Sequence, residues 1–205
     1  MSTHTTLRVH ILVFDGVEVL DFAGPYEVFT TASRVYGRQH PLAKPLFDVA
    51  CAARGGSAIH ARAGLRVLPE LGFDRTDTCD LLLVPGGVVD APMACAETRA
   101  WIAATAQHAH ITASICTGAF LLAASGVVRD ERVTTHWEDI TDLRQQFPQL
   151  TVVDGPRWVD NGAVVTCAGI SAGMDMSLHL VARLAGQALA ERTAHQMDYR
   201  WLSTP

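Results

Sequence analysis

The chain is short of the features that mark several protein classes. Only 18% of its 205 residues are charged, too few for long disordered or coiled-coil stretches to be its main content. Basic residues are the minority, 16 Lys and Arg against 21 Asp and Glu, for a net charge of -5. Binding to a phosphate backbone needs a basic face, so no nucleic-acid partner is expected. No apolar run approaches the ~20 residues that span a bilayer, so no membrane association is expected. The polar start Met1-Ser-Thr-His-Thr-Thr6 lacks the basic head and apolar stretch of a signal peptide. The expected setting is therefore the reducing cytoplasm. The five cysteines are odd in number and contain no CxxC pair, which argues against the disulfide framework of a small secreted domain. His and Cys do not recur at ligand spacing, so no metal site is expected.

What is present is core material. Hydrophobic residues make up 49% of the chain, enough for one ordinary domain spanning 1–205. Leu7 to Phe14 is almost continuously apolar and rich in β-branched residues, as a strand covered on both faces is. Leu46 to Ala53, Asp80 to Val84 and Ile111 to Ile115 predict further strands. Asp160-Asn161-Gly162, between the short runs Arg157–Val159 and Ala163–Cys167, is a hairpin turn signal. Helical patterns follow most strands: one after Asp21 with Pro25 in its first turn, then Thr98–Ala109, Ala119–Ala124, Met174–Ala185 and Leu189–Met197. This alternation predicts an α/β fold, a mostly parallel sheet with helices on both faces. In such sheets ligands bind beyond the carboxyl ends of the strands. Asp15–Asp21, Pro85–Val88 and Cys116–Gly118 fall there.

Of the five cysteines, Cys116 is placed for chemistry. It ends a buried strand and begins a helix, with Gly118 two residues on, the pattern of a nucleophile elbow. The unpaired amides at the helix start are expected to favour the thiolate and lower the pKa. Cys51, Cys79, Cys95 and Cys167 lack such a setting and read as packing residues. The glycines of Pro85-Gly86-Gly87 permit close backbone approach. The N–H groups of Gly86, Gly87 and Val88 are thus candidate donors to charge developing on a substrate. Asp21 reads as a helix N-cap and, if buried near Cys116, as a proton donor.

These segments resemble the ThiJ/PfpI superfamily, with its class I glutamine amidotransferase-like fold. The matching stretches are Val19-Leu-Asp-Phe-Ala-Gly-Pro-Tyr-Glu-Val28, Leu83-Val-Pro-Gly-Gly87, Ser114-Ile-Cys-Thr-Gly-Ala-Phe-Leu-Leu122, Thr134-Thr-His-Trp137 and Thr166-Cys-Ala-Gly-Ile-Ser-Ala-Gly173. The resemblance is strongest to two branches, the isocyanide hydratases and the sensor domains of AraC-type regulators. It implies a flavodoxin-like three-layer sandwich, a homodimer, Cys116 as nucleophile and Asp21 as the carboxyl facing it. Thr117 follows the cysteine as in the hydratase-like branch, in place of the His of protease-like members. His136 is an accessory base candidate. Ser114 stands where many members have Ala or Gly, and Arg38 to Pro45 looks like an extended loop. No helix-turn-helix domain is expected after the sandwich.

The function the resemblance implies is a cysteine-dependent hydratase or hydrolase of a small carbon–nitrogen substrate. Most specifically, it is conversion of an isocyanide to an N-formamide without a cofactor. A ligand or redox sensor with an oxidisable Cys116 is the alternative from another class. A glyoxalase-like or amidase activity is a third.

Overall fold

A central sheet organises the chain, as the alternation of apolar runs predicts. The computed structural model describes residues 5–75 and 79–205. Most of the polar start read as lacking a leader, positions 1–4, lies outside the described residues. In chain order the elements are β1 (Leu7–Leu12), α1 (Val19–Gln39), β2 (Phe47–Ala53), β3 (Ile59–His60), β4 (Arg66–Val67), β5 (Leu71–Gly72) and β6 (Leu81–Val84). They continue with α2 (Asp90–Ala94), α3 (Ala96–His108), β7 (Ile111–Ile115), α4 (Gly118–Ala124), β8 (Arg132–Val133), α5 (Ile140–Gln146) and β9 (Thr151–Val152). β10 (Trp158–Asp160), β11 (Val164–Cys167), α6 (Ser171–Ala185) and α7 (Gln187–Gln196) complete the chain.

Seven strands form the main sheet in the order β10-β11-β7-β6-β1-β2-β5. All pair in parallel except the β10–β11 hairpin, whose turn the Asp160-Asn161-Gly162 signal marked. The inner strands β6 and β7 are buried along their whole length, which is why their sequences do not alternate. Helices α1, α6 and α7 pack on one another as one layer, and α2, α3 and α4 as another. The result is a three-layer α/β sandwich. No helix among the described residues is long and apolar enough to cross a membrane.

Connections from β1 lead outward to β2, and those from β6 lead the other way to β7. The order therefore reverses between β1 and β6, and a crevice opens beyond their carboxyl ends. Two loops are stitched together there. Val17 bridges Gly87, and the Glu18 N–H donates to the Gly86 carbonyl at 2.9 Å.

Three local expectations need correction. Helix α1 starts at Val19, with Glu18 as the N-cap accepting from the Val19 amide. Asp21 thus lies inside the first turn rather than capping it. Pro25 lies deeper than the first turn, where its missing N–H leaves the bond to the Asp21 carbonyl unmade. The same helix runs to Gln39, which absorbs the first two residues of the expected Arg38–Pro45 loop. Arg38 there donates to Gln196 Oε1 at 2.6 Å, joining α1 to α7.

Candidate active site

Cys116 sits between β7 and α4 with φ of 55°. A non-glycine residue seldom adopts that conformation, and such strain concentrates at functional sites. The elbow is held from three sides. The Cys116 amide donates to the Cys167 carbonyl at 3.2 Å. The Thr135 hydroxyl donates to the Cys116 carbonyl at 2.9 Å. At Gly86 a Cβ would lie 2.5 Å from the Thr117 nitrogen and 2.9 Å from the Cys116 Cβ. At Gly169 one would lie 3.1 Å from the Cys116 sulfur. Both glycines are therefore demanded by close approach, not only by backbone freedom.

Asp21 is fully buried, at 0% exposure. The Gly86 N–H donates to its Oδ2 at 3.1 Å and the Ile170 N–H to its Oδ1 at 3.0 Å. Burial pushes its pKa up from 3.8 to about 6. The two amides act against that rise, the nearby Glu18 carboxylate adds to it, and contact with the Cys116 thiol lowers it slightly. Asp21 thus takes up a proton far more readily than an ordinary carboxylate. The structure brings it together with Cys116 across the crevice.

The expected thiolate is not what the geometry favours at rest. The Cys116 thiol is pushed up to about 12 by its burial and by the Asp21 carboxylate, against the lowering effect of the Thr117 amide and hydroxyl. Helix α4 has only seven residues, and its start does not outweigh the removal of the sulfur from water. The Asp21 carboxylate and the Cys116 sulfur oppose two negative charges at one buried spot, so they titrate as a pair.

The amides expected as charge donors are already engaged. Gly86 N–H bonds Asp21, Gly87 N–H bonds the Thr117 hydroxyl oxygen at 2.9 Å, and Val88 N–H bonds the Gly16 carbonyl at 3.0 Å. They shape the site rather than face an incoming ligand. Thr117 is doubly fixed, since its hydroxyl also donates to the Gly87 carbonyl at 3.0 Å. The amides that begin α4, Thr117 and Gly118, precede the helical bonding pattern and suit the donor role. His136 is drawn to carboxylates, with Nδ1 3.5 Å from Asp139 and 3.7 Å from Glu138, and its ring lies beside Trp137. Ser114 Oγ is buried without a partner. Glu18, Thr135 and the Ile170 amide were not singled out from sequence. The Thr134–Trp137 and Thr166–Gly173 stretches were the signal that would have pointed to the last two.

Comparison with known proteins gives the chain's relatives. The DJ-1/PfpI family matches residues 7–183. The chain is 32% identical over 194 residues to an isonitrile hydratase of Pseudomonas putida, covering 94% of this chain and 78% of that one. It is 25% identical over 191 residues to the HTH-type transcriptional regulator GbdR of Pseudomonas aeruginosa. That match covers 93% of this chain but only 50% of the regulator, so the chain spans about half its length. A solved ThiJ/PfpI family protein from Pseudomonas syringae superposes with a TM-score of 0.82 at 27% identity, covering 96% of this chain and 76% of that one.

Proposed function

The chain belongs to the DJ-1/PfpI family, and from that premise we propose that it hydrates a small isocyanide to an N-formamide through a thioimidate on Cys116. The observation that carries this reading is the buried Asp21, which accepts a proton near neutral pH beside a thiol that needs to lose one. In the first step the sulfur bonds to the terminal isocyanide carbon while its proton passes to Asp21. Asp21 then delivers that proton to the same carbon, giving a thioimidate. Water adds to that carbon, the nitrogen takes up a proton, and the C–S bond breaks. The product is the N-formamide, and the thiol is restored. The Thr117 and Gly118 amides are the donors assigned to the charge that builds on the reacting group. The similarity to an isonitrile hydratase supports the substrate class.

The test is turnover of a simple aryl isocyanide by the wild type and by Cys116→Ala. Wild-type formamide production lost in the variant supports the reading. Equal turnover by both removes the nucleophile role, and no wild-type turnover on several isocyanides removes the substrate class. A sensor reading draws on the half-length match to a regulator. It predicts tight binding or selective oxidation at Cys116 with no turnover.

A further inference from the structure

A cavity lies apart from the Asp21–Cys116 pair. At the carboxyl ends of β1 and β2, facing the start of α3, is a pocket of about 590 Å³. That volume lies in the range of small-molecule sites, and its place above the parallel strands is where such folds bind ligands. Neither Asp21 nor Cys116 lines it. Its lining includes Cys95, Arg54, Thr98, Asp15, Glu97 and Phe73.

Cys95 was expected to be a packing residue, and the structure corrects this. It is half-buried and stands at the N-cap of α3, a helix of 13 residues. Arg54 Nη1 lies 3.7 Å from its sulfur. Among the described residues, Arg54 pairs with no carboxylate at ion-pair distance. The Thr98 hydroxyl and amide, the Glu97 amide and the Arg54 charge all pull the Cys95 pKa down. Burial pushes the other four thiols up. Cys95 is therefore the sulfur with most thiolate character, and it opens onto a cavity.

The pocket also says what kind of molecule would sit there. Arg54 offers a planar cation suited to a carboxylate. Glu97 offers an anion suited to an ammonium group, and Asp15, whose Oδ1 already accepts from the His60 amide at 2.7 Å, adds negative charge beside it. One wall that presents both signs fits a zwitterion better than a simple anion or cation. We propose that this pocket binds a low-molecular-weight disulfide bearing an α-amino-acid head, and that Cys95 exchanges with it to form a mixed disulfide. The Cys95 thiolate attacks one sulfur of the bound disulfide. A new S–S bond forms to Cys95, the ligand's own S–S bond breaks, and the released thiolate takes a proton from water. The bound disulfide is the oxidant, so no further reagent is needed. This site does not depend on the isocyanide reading.

The test uses the full chain with oxidised glutathione as the probe and the neutral 2-hydroxyethyl disulfide as control, read by intact mass and peptide mapping. The expected result is one glutathione on Cys95, retained in Cys116→Ser and absent in Cys95→Ser. Arg54→Gln is expected to slow the glutathione reaction by about tenfold, from loss of both thiolate stabilisation and carboxylate recognition. It should slow the neutral control less. An adduct mapped to Cys116, or no adduct at all, overturns the proposal. So do equal rates of the two disulfides together with no effect of Arg54→Gln, since that is the behaviour of an unassisted exposed thiol. Circular dichroism of the Cys95 and Arg54 variants keeps misfolding distinguishable from loss of the site.

Discussion

Asp21 ties stability to pH in a direction opposite to most carboxylates. Its pKa rises from 3.8 to about 6 on folding because burial outweighs the two amides that hold it. The folded protein therefore binds this proton more tightly than the unfolded chain. The associated stability is fully present below pH 3.8 and is lost as the pH climbs through about 6. At about 1.4 kcal/mol per pH unit, the whole difference is about 3 kcal/mol. About 2 kcal/mol of it falls between pH 4 and 7.5. Asp21→Asn removes the titration and isolates the effect, whatever other groups contribute. Urea unfolding of both proteins across that range measures it. The stability of the variant minus that of the wild type should grow by about 2 kcal/mol on going from pH 4 to 7.5. The absolute offset is set separately, because an asparagine oxygen accepts from only one side and turns an N–H₂ toward the Gly86 or Ile170 amide. A difference that stays flat across the range, or shrinks as the pH rises, refutes a raised Asp21. Such a result would also take away the group assigned to receive the thiol proton.

Two further predictions concern the frame around the site. Gly118→Ala places a Cβ against the Val84 carbonyl oxygen and 3.0 Å from the Pro85 oxygen, both backbone. It should cost about 3 kcal/mol in urea unfolding, whereas Gly37→Ala, with open space around it in α1, should add about 0.5–1 kcal/mol. Arg157→Met strands the fully buried Asp175, which takes two bonds from Arg157 and one from the Leu202 amide. A loss of about 3–5 kcal/mol by the same measurement is expected.

The elbow was legible because its signals are local. A buried strand, one residue of αL backbone and a glycine that admits a close helix all lie between Ile111 and Gly118. The hairpin at Asp160–Gly162 was legible for the same reason. The start of α1 was misread because Glu18 and Asp21 are both acidic residues at a helix entrance. Either side chain suits a cap, and the choice falls to backbone bonds made elsewhere. The Glu18 amide binds the Gly86 carbonyl, which starts the helix at Val19 and carries Asp21 into the interior. The donor role given to Gly86, Gly87 and Val88 failed for a related reason. A glycine-rich turn announces close approach, but not what approaches it.

The succession of strands and helices and the place of Cys116 among them could be read along the chain, because hydrophobic runs, turn residues and glycines act over a few positions. The proton affinities at the site come from long-range packing instead. Asp21 is held by amides 65 and 149 residues away, and burial overrides the helix start that would otherwise favour a Cys116 thiolate. The tertiary structure also decided which cysteine keeps thiolate character. The Thr98 hydroxyl and amide lower the Cys95 pKa most, and Arg54, 41 residues earlier at another strand's end, adds its charge to them. Solvation and charge depend on everything that packs around a group, and that is a property of the folded chain.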